Sequence, residues 1–306
     1  MNERLSLFLD NVEKIRLFFG SHAESFVISM ATQLTIRGQR FYGFDYDDVN
    51  KTIKNHSKWY STVRHRQKIV NAYYVHYSKD PSLIPKAIER QKQIQHNKFT
   101  ETEDSYIAAI YIENGEKLEE LTQALIKQSS LRYESLRLPQ RALLSTRPEV
   151  PIEIAVTYEQ YYKQLLSLKW KRGIESKNAA FLLTLETGTF QEPIIERLVR
   201  VESLLHSINL KIEKRHYSVI CLLALANFEK TQLNALLELQ DTINTKLKLN
   251  PKYYNTLGVA AQLYTATELA NNSEMYYTDI ADILMTVIDN GGSDGSDGGG
   301  DGGGGD

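Results

Sequence analysis

Asn178-Ala179-Ala180-Phe181-Leu182-Leu183-Thr184-Leu185 and Ser218-Val219-Ile220-Cys221-Leu222-Leu223-Ala224-Leu225 are runs of helical length with almost no polar face. A helix that is apolar on every side has to be enclosed on every side. Each run therefore belongs between neighbouring elements, and the small residue near its centre lets backbones approach closely. Runs of this kind recur along the chain, anchored on Ala31, Ala72, Ala109, Ala142, Ala180, Cys221 and Ala261, with gaps of 41, 37, 33, 38, 41 and 40 residues. After a polar or turn-forming break, each is followed by a second helical pattern. Ile194, Leu198, Val201, Leu205 and Ile208 advance by alternating fours and threes. Leu233, Leu236, Gln240, Ile243 and Leu247 do much the same with one polar lapse, and Leu118, Leu121, Leu125 and Gln128 repeat it briefly. That spacing keeps one face on a neighbour and the other in water.

The repeating unit is thus a helix hairpin, present seven times. No single hairpin can bury its apolar face alone, so the expected fold is all-α, an α-solenoid of stacked hairpins over residues 1–290, with a closed α/α toroid as the alternative. Residues 1–20 alternate Leu5, Phe8, Leu9, Val12 and Ile15 with Glu3, Asp10, Glu13 and Lys14. This is an amphipathic helix that would cap the first repeat, and its charges interrupt any signal-peptide core.

Pro81, Pro151, Pro193 and Pro251 stand where helices are expected to begin, because the missing N–H costs nothing in a first turn. Thr100 and Glu103 have the spacing of a capping box. Gly115 and Gly188 are expected as helix stops. Residues 291–306 contain only Gly, Asp and Ser. With nothing apolar to bury, they are expected to form a disordered, solubilising tail. The absence of an apolar residue in each nonapeptide also removes a calcium-binding β-roll.

The 306-residue chain is 42% apolar and 24% charged, and its mean hydropathy is -0.38. Four of its 38 acids lie in the tail, which leaves 34 against 36 bases in the body. Such a body has no global field that would demand nucleic acid or an anionic membrane. No run approaches the ~20 apolar residues of a membrane span. The single cysteine, Cys221, cannot form an internal disulfide, and its apolar neighbours make it a buried packing residue in a reduced, cytoplasmic protein.

The motifs of familiar chemistry are missing. Asp45, Asp47 and Asp48 resemble the opening of an EF-hand, but Asn50 and His56 stand where the loop needs Gly and Glu. The aspartates read better as helix caps and first-turn charges. There is no phosphate-binding Gly-rich loop, no His-Glu-x-x-His and no Gly-x-Ser-x-Gly. His65 and His76 lie near one helical face without a third ligand, so no metal and no cofactor are implied.

Basic-aromatic segments are the main surface signal. Lys58-Trp59-Tyr60 leads to Arg64, His65, Arg66 and Lys68; Lys169-Trp170-Lys171-Arg172 repeats the character; Lys211, Lys214, Arg215 and His216 form a third group. Trp59, Arg64, Arg66, Trp170, Lys171 and Arg172 are the candidate partner-binding residues. Helix capping is the more economical reading of these cations, with aromatics stapling the hairpins, and Tyr73, Tyr161, Tyr253 and Tyr276 pack in the same way. A weak nucleic-acid track through charge and stacking is a second reading. A metal-free toroidal enzyme using two carboxylates is a third.

Four segments carry a family resemblance: Asp48-Val49-Asn50-Lys51-Thr52-Ile53-Lys54, Ser61-Thr62-Val63-Arg64, Asp80-Pro81 and Thr102-Glu103-Asp104-Ser105-Tyr106-Ile107-Ala108-Ala109. With these the chain resembles the bacterial domain-of-unknown-function family 4003, helical proteins of Gram-positive bacteria, over most of residues 1–290. Val63 departs from that family's pattern, which carries an aromatic residue at its position. The resemblance implies a cytoplasmic bacterial protein and no activity, cofactor or catalytic residue. The expectation is a binding or scaffolding protein that engages a peptide or protein partner.

Overall fold

The computed structural model describes residues 2–20, 22–96, 101–128, 136–250 and 254–272, and within these the secondary structure is helical. Seven longer or amphipathic helices form an outer layer: α1 (Asn2–Phe19), α3 (Gly43–His56), α5 (Ile84–His96), α7 (Gly115–Gln128), α9 (Pro151–Ser167), α11 (Glu192–Ser207) and α13 (Leu233–Leu247). Between them come the anchor helices: α2 (Glu24–Ile36), α4 (Gln67–Tyr77), α6 (Glu103–Tyr111), α8 (Leu138–Ser145), α10 (Ile174–Thr187), α12 (Tyr217–Leu225) and α14 (Thr256–Asn272).

The anchor helices are enclosed as their composition demands. Every residue from Asn178 to Leu185 in α10, and from Val219 to Ala224 in α12, is buried. The outer stripe is equally faithful: Ile194, Leu198, Val201 and Leu205 are buried along α11, and Ile208 packs against the core at its end. Of the seven anchors, Ala72 is only half-buried. The enclosed positions of α4 are taken by the neighbouring Tyr73 and Tyr74.

The phase of the hairpins differs from expectation. Each anchor helix packs on the helix before it: α1 on α2, α3 on α4, and so on to α13 on α14. The helix of residues 1–20 is therefore the outer half of the first hairpin and not an added cap. Phe8, Val12 and Ile15 seal it onto α2. Anchor helices also touch one another in order, α2 on α4, then α6, α8, α10, α12 and α14, and α14 packs on α2. An open stack of seven hairpins holds its first and last units apart. Contact between α14 and α2 is what the toroidal alternative requires.

Polar links show that these inner helices run parallel. At their N-terminal ends His22 Nε2 meets Gln67 Oε1 at 3.1 Å, Lys68 pairs with Glu103 at 3.1 Å, and Arg137 Nε donates to Asp104 at 3.1 Å. Gln140 Nε2 donates to Asn178 at 2.7 Å, the Lys171 amide to Tyr217 Oη at 2.9 Å, and Asn255 Nδ2 to the Arg215 carbonyl at 3.0 Å. At their C-terminal ends His76 Nε2 lies 3.2 Å from both Arg37 Nη2 and Tyr111 Oη, and Arg147 Nη1 donates to the Leu185 carbonyl at 3.1 Å.

Helix ends follow local chemistry, with some reassignment. Pro81, Pro151 and Pro193 lie in first turns as expected, and Gly188 closes α10 with φ 69°. Gly115, by contrast, opens α7 rather than stopping a helix. The capping box of α6 uses Thr102 and Ser105, each side chain accepting the other's amide at 3.2 and 3.1 Å. None of Asp45, Asp47 and Asp48 is a cap; Tyr42 holds that position and Asp45 lies in the first turn of α3. Thr100, Pro251, Tyr253, Tyr276 and the 291–306 tail lie outside the described residues.

Candidate functional site

Because the inner helices are parallel, every outer-to-inner joint lies at their N-terminal end and every inner-to-outer joint at the other. The three basic segments all occur in outer-to-inner joints, so topology alone gathers them on one rim. The described joints of that rim carry eleven cations (Lys58, Arg64, Arg66, Arg137, Lys169, Lys171, Arg172, Lys211, Lys214, Arg215 and Lys248) and two acids, Glu101 and Glu213. At the opposite end the described joints carry five cations and four acids (Arg37, Arg40, Lys79, Arg147 and Lys230 against Asp80, Glu113, Glu149 and Glu229). The N-terminal ends of the inner helices add partial positive charge to the first rim. First-turn acids partly offset it: Glu24, Glu103 and Asp104 are held by Arg16, Lys68 and Arg137, and Glu175 stands near Lys214 at the start of α10. Arg64, Arg66, Lys171 and Arg172 take part in no ion pair among the described residues.

Local backbone explains how these side chains are presented. Outer helices α9, α11 and α13 all end on a left-handed residue that is not glycine, namely Lys169 (φ 65°), Asn209 (φ 60°) and Lys248 (φ 55°). In each, the next amide reaches back five residues: Trp170 to Leu165 at 3.2 Å, Leu210 to Leu205 at 3.2 Å, Leu249 to Asn244 at 3.0 Å. This is the Schellman turn, whose residue after the left-handed one tucks its side chain under the helix end. Trp170 occupies that position and is only 4% exposed. Its ring stacks on Tyr217, centroids 4.2 Å apart at 15°. Trp170 is therefore a staple between hairpins, as the capping reading of these segments expects, and its side chain lies off the exposed surface on which the partner reading places it.

The remaining five candidates do face solvent to differing degrees, in two groups. Lys171 and Arg172 are exposed at the start of α10. They adjoin the third basic segment, since a Cβ added to Gly173 would lie 3.3 Å from Lys214 Nζ. Trp59, Arg64 and Arg66 lie before α4, three hairpins away around the same rim. Trp59 is 76% exposed, stands edge-on to Tyr60 at 5.6 Å, and accepts a hydrogen bond on its carbonyl from His65 at 2.8 Å. Arg64 is half-buried and Arg66 exposed.

Several contributors had no legible signal. Glu101 holds the loop before α4 in place, accepting from Ser61 Oγ at 3.0 Å, the Thr62 amide at 3.1 Å and Tyr106 Oη at 2.9 Å. His216 is a buried cap whose Nδ1 accepts the Glu213 amide at 3.1 Å, and burial pushes its ionisation below the ordinary histidine value, assisted by Arg215. It is thus no part of the exposed basic surface. His65 and His76 do not converge: one precedes α4, the other lies in its last turn.

Among the described residues no group of three His, Cys, Asp or Glu side chains is placed to hold a metal ion. No described helix is long and apolar enough to cross a membrane. No family model, curated protein or solved structure matches the chain.

Proposed function

We propose that this protein is a binding module, a scaffold of helical hairpins whose inner-helix N-terminal rim engages an acidic segment of a protein partner. The observation that carries the reading is the division of charge between the described joints at the two ends, eleven cations to two acids on one rim against five to four on the other. The body as a whole has nearly balanced charge, so this field is local. It suits recognition of an acidic patch or peptide, with long-range steering as its first effect.

An acidic polypeptide is favoured over single-stranded nucleic acid by the aromatic residues. A nucleic-acid track interleaves exposed aromatic platforms with its cations. Here Trp59 and Tyr60 are exposed, but Trp170 is spent on packing and the third basic segment offers no exposed ring. The toroidal-enzyme reading draws support from the contact between α14 and α2 alone. A general acid needs a carboxyl group whose ionisation is pushed upward. Glu149 goes the other way, held below the usual range by hydrogen bonds and charge from Arg147, against the pull of its own burial. The cytoplasmic bacterial setting is proposed on the lone enclosed cysteine and on the family resemblance.

The test is binding of a labelled glutamate-rich peptide at low salt by wild type and by a variant with Arg64, Arg66, Lys171 and Arg172 all changed to Gln. Wild type is expected to bind and the variant to bind at least about tenfold more weakly, since four cations that can meet the peptide's carboxylates are removed. Single-stranded oligonucleotides should bind weakly near physiological salt. Tight oligonucleotide binding with a salt slope that falls by about 0.7 per lost cation would overturn the protein-partner reading in favour of nucleic acid.

A further inference from the structure

We infer that the chain's own acidic segment, residues 291–306, is an intramolecular ligand of the N-terminal rim and competes there with a partner; this rests on the reading of that rim as the partner surface. The segment carries Asp294, Asp297, Asp301 and Asp306, no base and no apolar side chain. Its side chains favour association through charge, and among the described joints the excess of cations over acids lies on the rim.

Chain geometry brings the two together. Helix α14 begins at the rim, where Asn255 is bonded to the Arg215 carbonyl at 3.0 Å, and its seventeen residues lead to Asn272. At 1.5 Å per residue Asn272 is roughly 25 Å from the rim. Residues 273–290 then separate it from Gly291. Eighteen residues span up to about 60 Å extended and about 27 Å as a helix, so the length suffices for Gly291 to reach rim height. A Gly-rich segment of sixteen residues adds a root-mean-square reach of roughly 22 Å.

The rim cations nearest the start of α14 are Lys248, in the joint that leads into it, and Lys214 and Arg215 before α12, with Lys171 and Arg172 one hairpin further on. The Arg215 carbonyl accepts from Asn255 while its side chain pairs with Glu213 at 3.0 Å, Lys214 adjoins Gly173 beside Glu175, and the exposed Lys171 and Arg172 follow across the Lys171–Tyr217 hydrogen bond. We assign these as the docking site. With tethering, the segment's effective concentration is on the order of millimolar, enough for a weak multivalent ion contact to compete with a partner. The same contact is released by salt, because its charges are exposed and the screening length is about 8 Å at physiological ionic strength.

The full-length chain with Ser296→Cys carries a nitroxide for the test. Cys221 is fully enclosed and stays unlabelled. Backbone amides of Lys171, Arg172, Lys214 and Arg215 should broaden selectively at about 0.02 M salt and recover at about 0.5 M. They should also recover when Asp294, Asp297, Asp301 and Asp306 are changed to Asn. That fourfold Asn variant, unlabelled, should bind the glutamate-rich peptide about three- to tenfold more tightly than wild type at low salt. Absence of selective broadening, with peptide binding equal in the two proteins, overturns the tail contact and leaves the rim reading standing. Selective broadening with no peptide binding by either protein upholds the tail contact and overturns the rim as a partner surface.

Discussion

Replacing Trp170 separates a packing residue from a binding residue, and the structure sets the size of the effect. A nearly enclosed indole removes about 150–250 Å² from water, a transfer term of roughly 4–6 kcal/mol at about 25 cal/mol per Å². Against this, Nε1–H finds no acceptor among the described residues, a penalty of about 1–3 kcal/mol. Trp170→Ala discards the first and relieves the second, a net loss of about 1–5 kcal/mol, and the cavity left behind moves the expectation to the upper part of that range, about 3–5 kcal/mol. Trp170→Phe keeps a ring against Tyr217 and removes the orphaned donor, and should lie within about 1 kcal/mol of wild type. Urea unfolding followed by circular dichroism at 222 nm is the suitable assay, because the substitutions remove one of only two tryptophans and alter fluorescence by themselves. The Ala variant should show a lower midpoint at unchanged slope. A midpoint unmoved by Trp170→Ala, together with loss of peptide binding, would refute the Schellman staple and return Trp170 to the partner surface.

Ala180, fully enclosed in α10 against α9 and α12, should not accept a larger side chain: Ala180→Leu is expected to cost about 1–3 kcal/mol in chemical denaturation. Lys248, left-handed at φ 55°, should gain from glycine, with Lys248→Gly raising stability by about 0.5–1 kcal/mol; a loss would mean its side chain contributes more than the backbone strain it imposes. For His216 the folded-state ionisation lies below the ordinary 6.5, so the unfolded chain binds the extra proton. The stability it contributes is therefore complete above about 6.5 and is lost as the pH falls through the lowered value. His216→Gln keeps an acceptor at the third position of the turn, as Gln232 does, and should flatten that part of the pH profile. Burial pushes the Cys221 thiol far up, so it should resist disulfide reagents at pH 8 until the protein is unfolded, and rapid labelling of the native protein would contradict its enclosure.

The sequence by itself determined that the chain is helical and which faces of α10, α11 and α12 are enclosed. Those properties depend on local periodicity: the all-round apolar runs at Ala180 and Cys221 and the stripe from Ile194 to Leu205 state their surroundings directly. Local motifs were read less well where the expected residue was replaced by an unusual one. The ends of α9 and α13 use Lys169 and Lys248 where glycine is the customary signal, so the turn that buries Trp170 left no mark of its own, and Lys-Trp-Lys-Arg was open to both a stapling and a surface reading.

Only the tertiary structure decided which helix of each pair joins which hairpin, because a forty-residue period is the same whichever helix is counted first. Packing resolved it, setting each outer helix on the anchor that follows. Whether α14 meets α2 was left open by the sequence, which allowed both an open stack and a closed ring, since such a contact depends on the placement of every hairpin and not on any one segment. The rim itself follows from that arrangement. Basic residues more than a hundred positions apart share an end of the molecule because parallel inner helices place all seven outer-to-inner joints together, a consequence of topology that no residue spacing records.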